Sequence, residues 1–173
     1  MNITVKQIEK EHEKDINISN QPFSLCGRMK ITYKEDEWSY ESIWFDKNDI
    51  MEQTFPNENY DYDMLSKEHI FVGAYDGDKC IGLAIYRHSW NKYLYLYDLK
   101  VNSKYRKIGV GKKLIEAGQA IANEHGYNGI YTQGQDNNLT ACLFYVKTGF
   151  QIGGLNTRVY SGTSQRNKSD IIF

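Results

Sequence analysis

Apolar residues recur at every second position in several stretches and at every third or fourth in two others, and these periods predict the elements. Ile3 to Ile8 alternates and predicts a first strand. Residues 9–21 are polar and charged, a loop or a weak helix. In the mixed text from Phe23 to Phe45, SLCGRMKITY predicts one strand and SYESIWF another, with KEDEW as the turn between them. IFVGAY (70–75) predicts a buried strand, Asp76-Gly77-Asp78 a hairpin turn, and CIGLAIY (80–86) the returning strand. A further turn, His88 to Lys92, leads into LYLYDLKV (94–101). Its apolar positions are Leu94, Leu96, Leu99 and Val101, and the alternation falters at Asp98.

After that strand come a polar turn, Asn102 to Tyr105, and the run RKIGVG. The text then switches to a helical period, with apolar or small residues at Val110, Leu114, Ala117, Gly118 and Ile121. His125 and Gly126 close this helix as a basic last-turn residue and a C-terminal glycine should. IYTQGQ (130–135) predicts the next strand, and because a helix joins it to the Leu94 strand the two should run parallel. Asn138 to Thr148 predicts a short helix ending at Gly149. Phe150-Gln-Ile predicts the start of a strand and Asp170–Phe173 the start of the last one, which a further residue or two would complete. The order of elements predicts an α/β fold in the α+β sense. It is a mixed, mostly antiparallel twisted sheet flanked by helices, with one splayed parallel strand pair.

At 173 residues and 40% hydrophobic composition the chain can bury one good core, and a single domain over 1–173 is the simplest expectation. A formal charge of −1 gives no electrostatic case for nucleic acid. No apolar run approaches a membrane span and the N-terminus lacks a signal-peptide core, so no membrane association and a cytoplasmic location are expected. Cys26, Cys80 and Cys142 are widely spaced, and the four histidines share no ligand spacing, so no metal site is expected. The stretch 46–63 stands out by charge: Asp46, Asp49, Glu52, Glu58, Asp61 and Asp63, with Glu41 just upstream, against Lys47 alone. Ile50, Met51, Phe55, Tyr60, Tyr62 and Met64 predict that this stretch packs rather than floats. Clustered tyrosines on the Leu94 strand fit either a pocket lining or a homodimer contact.

The junction before the long helix has the chemistry of an anion site. Gly109 and Gly111 carry no side chains, so backbone N–H groups can approach a ligand closely. Helices favour acids in the first turn, yet Arg106, Lys107, Lys112 and Lys113 surround this one, an arrangement an arriving anion would stabilise. An ordinary glycine turn with solvated lysines would read the same. Two phosphate loops are excluded. A P-loop would need glycine at Arg106 and Ser or Thr at Lys113, and a dinucleotide fingerprint would need a third glycine after Gly111.

What remains, Arg106-x-x-Gly109-x-Gly111 five residues beyond the strand-ending Val101, resembles the acyl-CoA loop of the GNAT superfamily of N-acetyltransferases. A second segment, Asn138-x-x-Ala141-x-x-Phe144-Tyr145, resembles the helix that in this superfamily lies across the pantetheine and adenine side of the co-substrate. The resemblance narrows over residues 71–173. His88-Ser-Trp-Asn-Lys, YDLKV and GLNTRVYSGT (154–163) are similar to text in streptothricin and nourseothricin acetyltransferases, with Tyr97 standing where some relatives carry glutamate.

The resemblance implies acetyl-CoA as co-substrate, held by the backbone of Leu99, Lys100 and Val101, by Arg106, Lys107, Ile108, Gly109, Val110, Gly111 and Lys112, and by Asn138, Ala141 and Tyr145. It implies residues 70–173 as the acetyl-CoA core and 1–69 as the substrate side. Tyr145 would hydrogen-bond the departing thiolate, and a backbone N–H near Leu99 the carbonyl oxygen as charge develops. Asp98 would orient the amine, with His88 a weaker candidate base and Trp90 shaping the pocket. The acceptor would be a small cationic amine of the streptothricin type, drawn by Asp61, Asp63 and their acidic neighbours. Protein lysines, polyamines, or a CoA-binding sensor without catalysis are the alternatives.

Overall fold

A computed structural model describes residues 2–173. In chain order its elements are β1 (Ile3–Gln7), a 3-10 helix over Lys10–Asn17, β2 (Phe23–Leu25), β3 (Gly27–Lys34), β4 (Glu37–Trp44), β5 (Met51–Gln53), α1 (Tyr62–Leu65), β6 (His69–Asp76), β7 (Lys79–His88), β8 (Leu94–Val101), α2 (Val110–Glu124), β9 (Ile130–Tyr131), β10 (Gln133–Gln135), α3 (Leu139–Lys147), β11 (Gly154–Asn156) and β12 (Asp170–Ile172). Among the described residues no helix is long and apolar enough to cross a membrane. The chain forms two compact units, one from residues up to Gln21 with Thr54–Tyr131, the other from Pro22–Gln53 with Thr132–Phe173.

The first unit is a five-stranded sheet in the order β1-β6-β7-β8-β9, antiparallel throughout except for the last pair. Antiparallel partners directly opposite share a face. Gly82 lies opposite Val101, Ala84 opposite Leu99 and Tyr86 opposite Leu96, and α2 covers that face through Val110, Leu114 and Gly118. The buried side of α2 is Val110, Leu114, Ile115, Gly118 and Ala122; Ala117 and Ile121, assigned to it by spacing, are only half-buried. Gly118 lets the fully buried Tyr86 ring lie directly on the helix, and Oη of Tyr86 donates to the Leu114 carbonyl at 2.9 Å.

The faltering alternation at Asp98 is a β-bulge. Ile85 faces Asp98 but Tyr86 faces Leu96, so Tyr97 is an extra residue that puts the rest of β8 out of phase. Leu94, Leu96, Leu99 and Val101 therefore stay on the α2 side, while Tyr95, Tyr97, Asp98 and Lys100 all turn to the other. That other face also builds a core, in which Ile8, Ile16, Phe71, Leu83 and Ile85 are buried under Ile18, Tyr60, Tyr62 and Leu65. The acidic stretch is thus packed through Tyr60 and Tyr62, whereas Ile50, Met51, Phe55 and Met64 are exposed.

In the second unit β3 and β4 form a hairpin whose turn residues Glu35 and Asp36 both have positive φ, at 53° and 64°, as a tight hairpin turn requires. β10, β12 and β11 make a three-stranded sheet with β12 central. Met29, Leu139, Cys142, Ile171 and Phe173 form its core. Two expectations change here. Phe150-Gln-Ile is not a strand; the pairing begins at Gly154, where β11 meets β12. And IYTQGQ is interrupted at Thr132, so Ile130–Tyr131 runs parallel to β8 while Gln133–Gln135 pairs with β12.

Candidate active site

The junction before α2 is built as an open helix start. Lys107 and Gly109 take left-handed backbone, φ 64° and 94°, which turns the chain sharply into the helix. Gly109 is the N-cap and makes no side-chain cap bond, the first turn holds no acid, and a Cβ at Gly109 would meet nothing within 4 Å. The N–H groups of Val110, Gly111 and Lys112 therefore begin a helix whose dipole no residue of the first turn offsets. Arg106 has a bracing role: Nε donates to the Val101 carbonyl at 3.0 Å and Nη2 to the Gln21 carbonyl at 3.4 Å. Ser103 N–H is held by Gln21 Oε1 at 2.6 Å, so the end of β8 and the loop are tied to residue 21. Lys112 pairs with Glu116 at 3.5 Å on the exposed side, and Ile108 is exposed.

Where the bulge turns β8, charges gather. Nζ of the buried Lys100 lies 3.2 Å from Oδ2 of Asp98 and closer still to Oε2 of Glu58. Tyr60 Oη donates to Asp98 Oδ2 at 3.1 Å. Burial pushes the Asp98 carboxyl above its ordinary range, with Lys100 pulling the other way. Burial and the Asp98 charge likewise push the Tyr60 phenol up, so it stays a donor. Two asparagines hold the loop that brings Glu58 and Tyr60 here. Asn17 exchanges bonds with the Tyr60 backbone at 2.7 and 2.9 Å, and Asn20 Nδ2 donates to Pro56 O at 2.8 Å and to Glu58 Oε2 at 2.9 Å. Sequence reading counted Glu58 only as one acid in a run and missed Tyr60 as a site residue; no local signal marks either.

Aromatic rings continue from this cluster. Tyr60 meets Tyr97 at 6.3 Å between centroids, Tyr97 meets Tyr95 at 6.3 Å, and Tyr95 meets Tyr131 at 4.8 Å. The Arg87 guanidinium lies over Tyr95 at 5.2 Å, so these ring faces already accept one cation. Trp90 is 93% exposed in its turn. His88 is not part of the cluster: its Nδ1 contacts Tyr127 Oη at 2.8 Å and its ring stacks on His125 at 5.0 Å. His69 instead stands edge-on to Tyr97, with Nδ1 on the Leu65 carbonyl. Asp61 caps α1 by accepting the Met64 N–H at 3.0 Å, and Asp63 pairs with Lys10 at 2.7 Å.

In the second unit, Asn138 caps α3 by accepting the N–H of Ala141 at 3.2 Å, so the Asn-x-x-Ala spacing is that of a cap and the third helical residue. Tyr145 follows one turn beyond Ala141, its ring 5.5 Å from Phe150 and 5.3 Å from Phe173. In the GLNT segment Asn156 Oδ1 accepts from the N–H groups of Arg158 and Val159, and Tyr160 donates to the buried Asp170 at 2.8 Å. Burial, foremost, pushes the Tyr160 phenol up to about 12.

Three comparisons bear on this arrangement. The sequence model of the GNAT acetyltransferase family matches residues 30–150. Streptothricin acetyltransferase A of Bacillus subtilis (strain 168) is 32% identical over 161 residues, 92% of each chain, and a streptothricin acetyltransferase of Escherichia coli is 26% identical over 92% of this chain and 79% of its own. Among solved structures, a Bacillus anthracis str. Ames protein assigned as a streptothricin acetyltransferase, in complex with acetyl coenzyme A, superposes with a TM-score of 0.86 at 28% identity, covering 99% of this chain and 96% of that one.

Proposed function

Because the chain belongs to the GNAT family of acetyltransferases, we propose that it transfers the acetyl group of acetyl-CoA to a primary amine of a streptothricin-type antibiotic, on its β-lysine portion, and so inactivates the drug. The observation that carries this reading is the extent of the similarity to the Bacillus subtilis enzyme. It leaves about a dozen residues uncovered and so includes most of residues 1–69, where acceptor recognition is expected. The two units are read as parts of one domain, since a single family match runs through both. The sequence expectation of a cytoplasmic location goes with this reading.

Acetyl-CoA supplies an activated thioester when bound, and the residues present suit it. The uncapped, basic start of α2 is a seat for pyrophosphate. The edge of β8 from Leu99 to Val101 continues past the two residue pairs made with β9, leaving backbone for an extended ligand arm to pair with. Tyr145 is read as the donor to the departing thiolate. A primary ammonium with a pKa of about 10.4 is protonated at neutral pH, so the acceptor must be bound as a cation and lose a proton before attack. Asp98 suits both steps: its charge attracts the cation, and a carboxyl raised by burial accepts a proton more readily. The tyrosine rings beside it favour a cationic partner. Asp61 and Asp63, engaged in a cap and an exposed ion pair, are read as long-range attraction.

The test is CoA thiol release with streptothricin, spermidine or a lysine-bearing peptide as acceptor. Turnover confined to streptothricin is expected. Turnover confined to the others would overturn the acceptor and keep the reaction, and binding of CoA without release in any of them would overturn the enzyme reading.

A further inference from the structure

Lys100 is surrounded in a way that a stabilising ion pair does not need. Its side chain is 7% exposed, and its ammonium is shared by two carboxylates: Asp98 Oδ2, 3.2 Å away, and Glu58 Oε2. The Tyr60 ring lies 5.4 Å beneath the same ammonium, while Tyr60 Oη donates to Asp98. Glu58 comes from a separate loop, is one-third exposed, and is aimed by Asn20. One buried ammonium thus serves two carboxylates. Tyr97, the neighbour of Asp98 on β8, is not an acid; the second carboxylate at the ammonium comes from residue 58.

We propose that Lys100 and Glu58 are positioning residues for acetyl transfer, a buried ammonium and its counter-carboxylate that fix Oδ2 of Asp98 and set the protonation state it presents to the acceptor amine. This rests on the reading of Asp98 as the group that receives the amine. Opposite charge favours an ionised carboxyl and like charge opposes it. Lys100 therefore favours the ionised form of Asp98 against the larger, opposite effect of its burial, and Glu58 works against Lys100 by drawing the ammonium to itself. The remaining groups around Asp98 are the Tyr60 phenol on the loop and Tyr97 on β8, with Arg87 of β7 and His69 of β6 against the Tyr97 ring. Ile85, opposite Asp98 on β7, carries no charge.

The two substitutions have opposite signs, which a merely structural role would not produce. In the full chain, free of acceptor, the Asp98 carboxyl carbon is followed by 13C NMR through a pH titration. Glu58→Gln removes the like charge and releases Lys100 to Asp98, so the midpoint moves down, on the order of one pH unit. Lys100→Met moves it up by at least as much. Because that variant leaves two carboxylates without the ammonium, the double variant Lys100→Met/Glu58→Gln provides a second measurement on a less burdened fold, and its midpoint also lies above wild type. A midpoint that stays in place, or rises, in Glu58→Gln overturns the proposal. The acid limb of kcat/KM with streptothricin tests the underlying reading separately. Asp98→Asn abolishes that limb if Asp98 takes the proton, and a limb left in place overturns that role whatever the NMR midpoints show.

Discussion

Replacing Gly118 by alanine sets two familiar effects against each other. Helix propensity alone predicts a gain of about 1 kcal/mol, since α2 is a fifteen-residue helix and Gly118 lies in its interior. The packing predicts the reverse. A Cβ at Gly118 would overlap Cζ and Oη of Tyr86 and come within 2.6 Å of Cε1, and Tyr86 is fully buried in β7. Overpacking of this kind costs about 1–3 kcal/mol. Displacing the ring also strains or breaks the bond from Tyr86 Oη to Leu114 O, worth roughly 1 kcal/mol. The losses outweigh the propensity gain, and Gly118→Ala is expected to be less stable by about 1–3 kcal/mol. For a chain of this length that lowers Tm by roughly 3–10 °C, read by circular dichroism. A Tm equal to or above wild type would refute the argument by showing that propensity wins. Kinetics then reports which partner yields: a shift of α2 moves its N-terminal amides and raises the KM for acetyl-CoA, whereas a shift of Tyr86 alone leaves it unchanged.

Tyr145→Phe is expected to lower kcat by ten-fold or more, on the order of one donor's contribution, with a smaller change in KM for acetyl-CoA; steady-state thiol release reads both, and near-normal turnover removes Tyr145 as donor. Stability against pH gives another prediction. Partial desolvation holds the half-buried imidazole of His69 below its ordinary value and, with His125 and His69 beside it, lowers the more exposed His88 too, so the fold favours their neutral forms. Their contribution is complete above about pH 6.5 and is lost as pH falls through the folded values. Tm should therefore drop from pH 7.5 to 5.5, and less so in the double variant His69→Gln/His88→Gln. That difference isolates the histidines from Asp98, whose raised value acts with the opposite sign.

The Leu94–Gly126 region was legible because each of its signals is local. The strand limits, the helix start after Gly109 and the Gly126 stop each depend on neighbours a few residues apart and occur as spacing predicts, while the buried face of α2 takes in Ile115 and Ala122 in place of Ala117 and Ile121. The break in alternation at Asp98 was visible too, although only the pairing with Ile85 and Tyr86 identifies it as a bulge. What the sequence hid is non-local. Nothing around Glu58 announces that Asn20 will aim it at Lys100, because the contact joins positions 42 residues apart. Asp61 and Asp63 stood out only as acids in an acidic run, and that one caps α1 while the other pairs with Lys10 is likewise set by contacts the run does not announce. The strand expected at Phe150 failed because those residues feed the Met29–Leu139 core and the ladder starts only at Gly154.

The extra residue at Tyr97 has a consequence for how this protein can change over generations. β8 keeps two separate alphabets, aliphatic on the α2 side and polar or aromatic on the other, and the bulge lets both be written in eight residues. Exchanges among Leu94, Leu96, Leu99 and Val101 alter durability without touching the charges around Asp98. Tyr97 is held by side chains alone: no residue of β7 stands opposite it, and its ring, 42% exposed, meets Tyr60, Tyr95, His69 and the Arg87 guanidinium. A change at that one position would therefore leave the β7–β8 register and the α2 side as they are, and act on the aromatic and charged face alone.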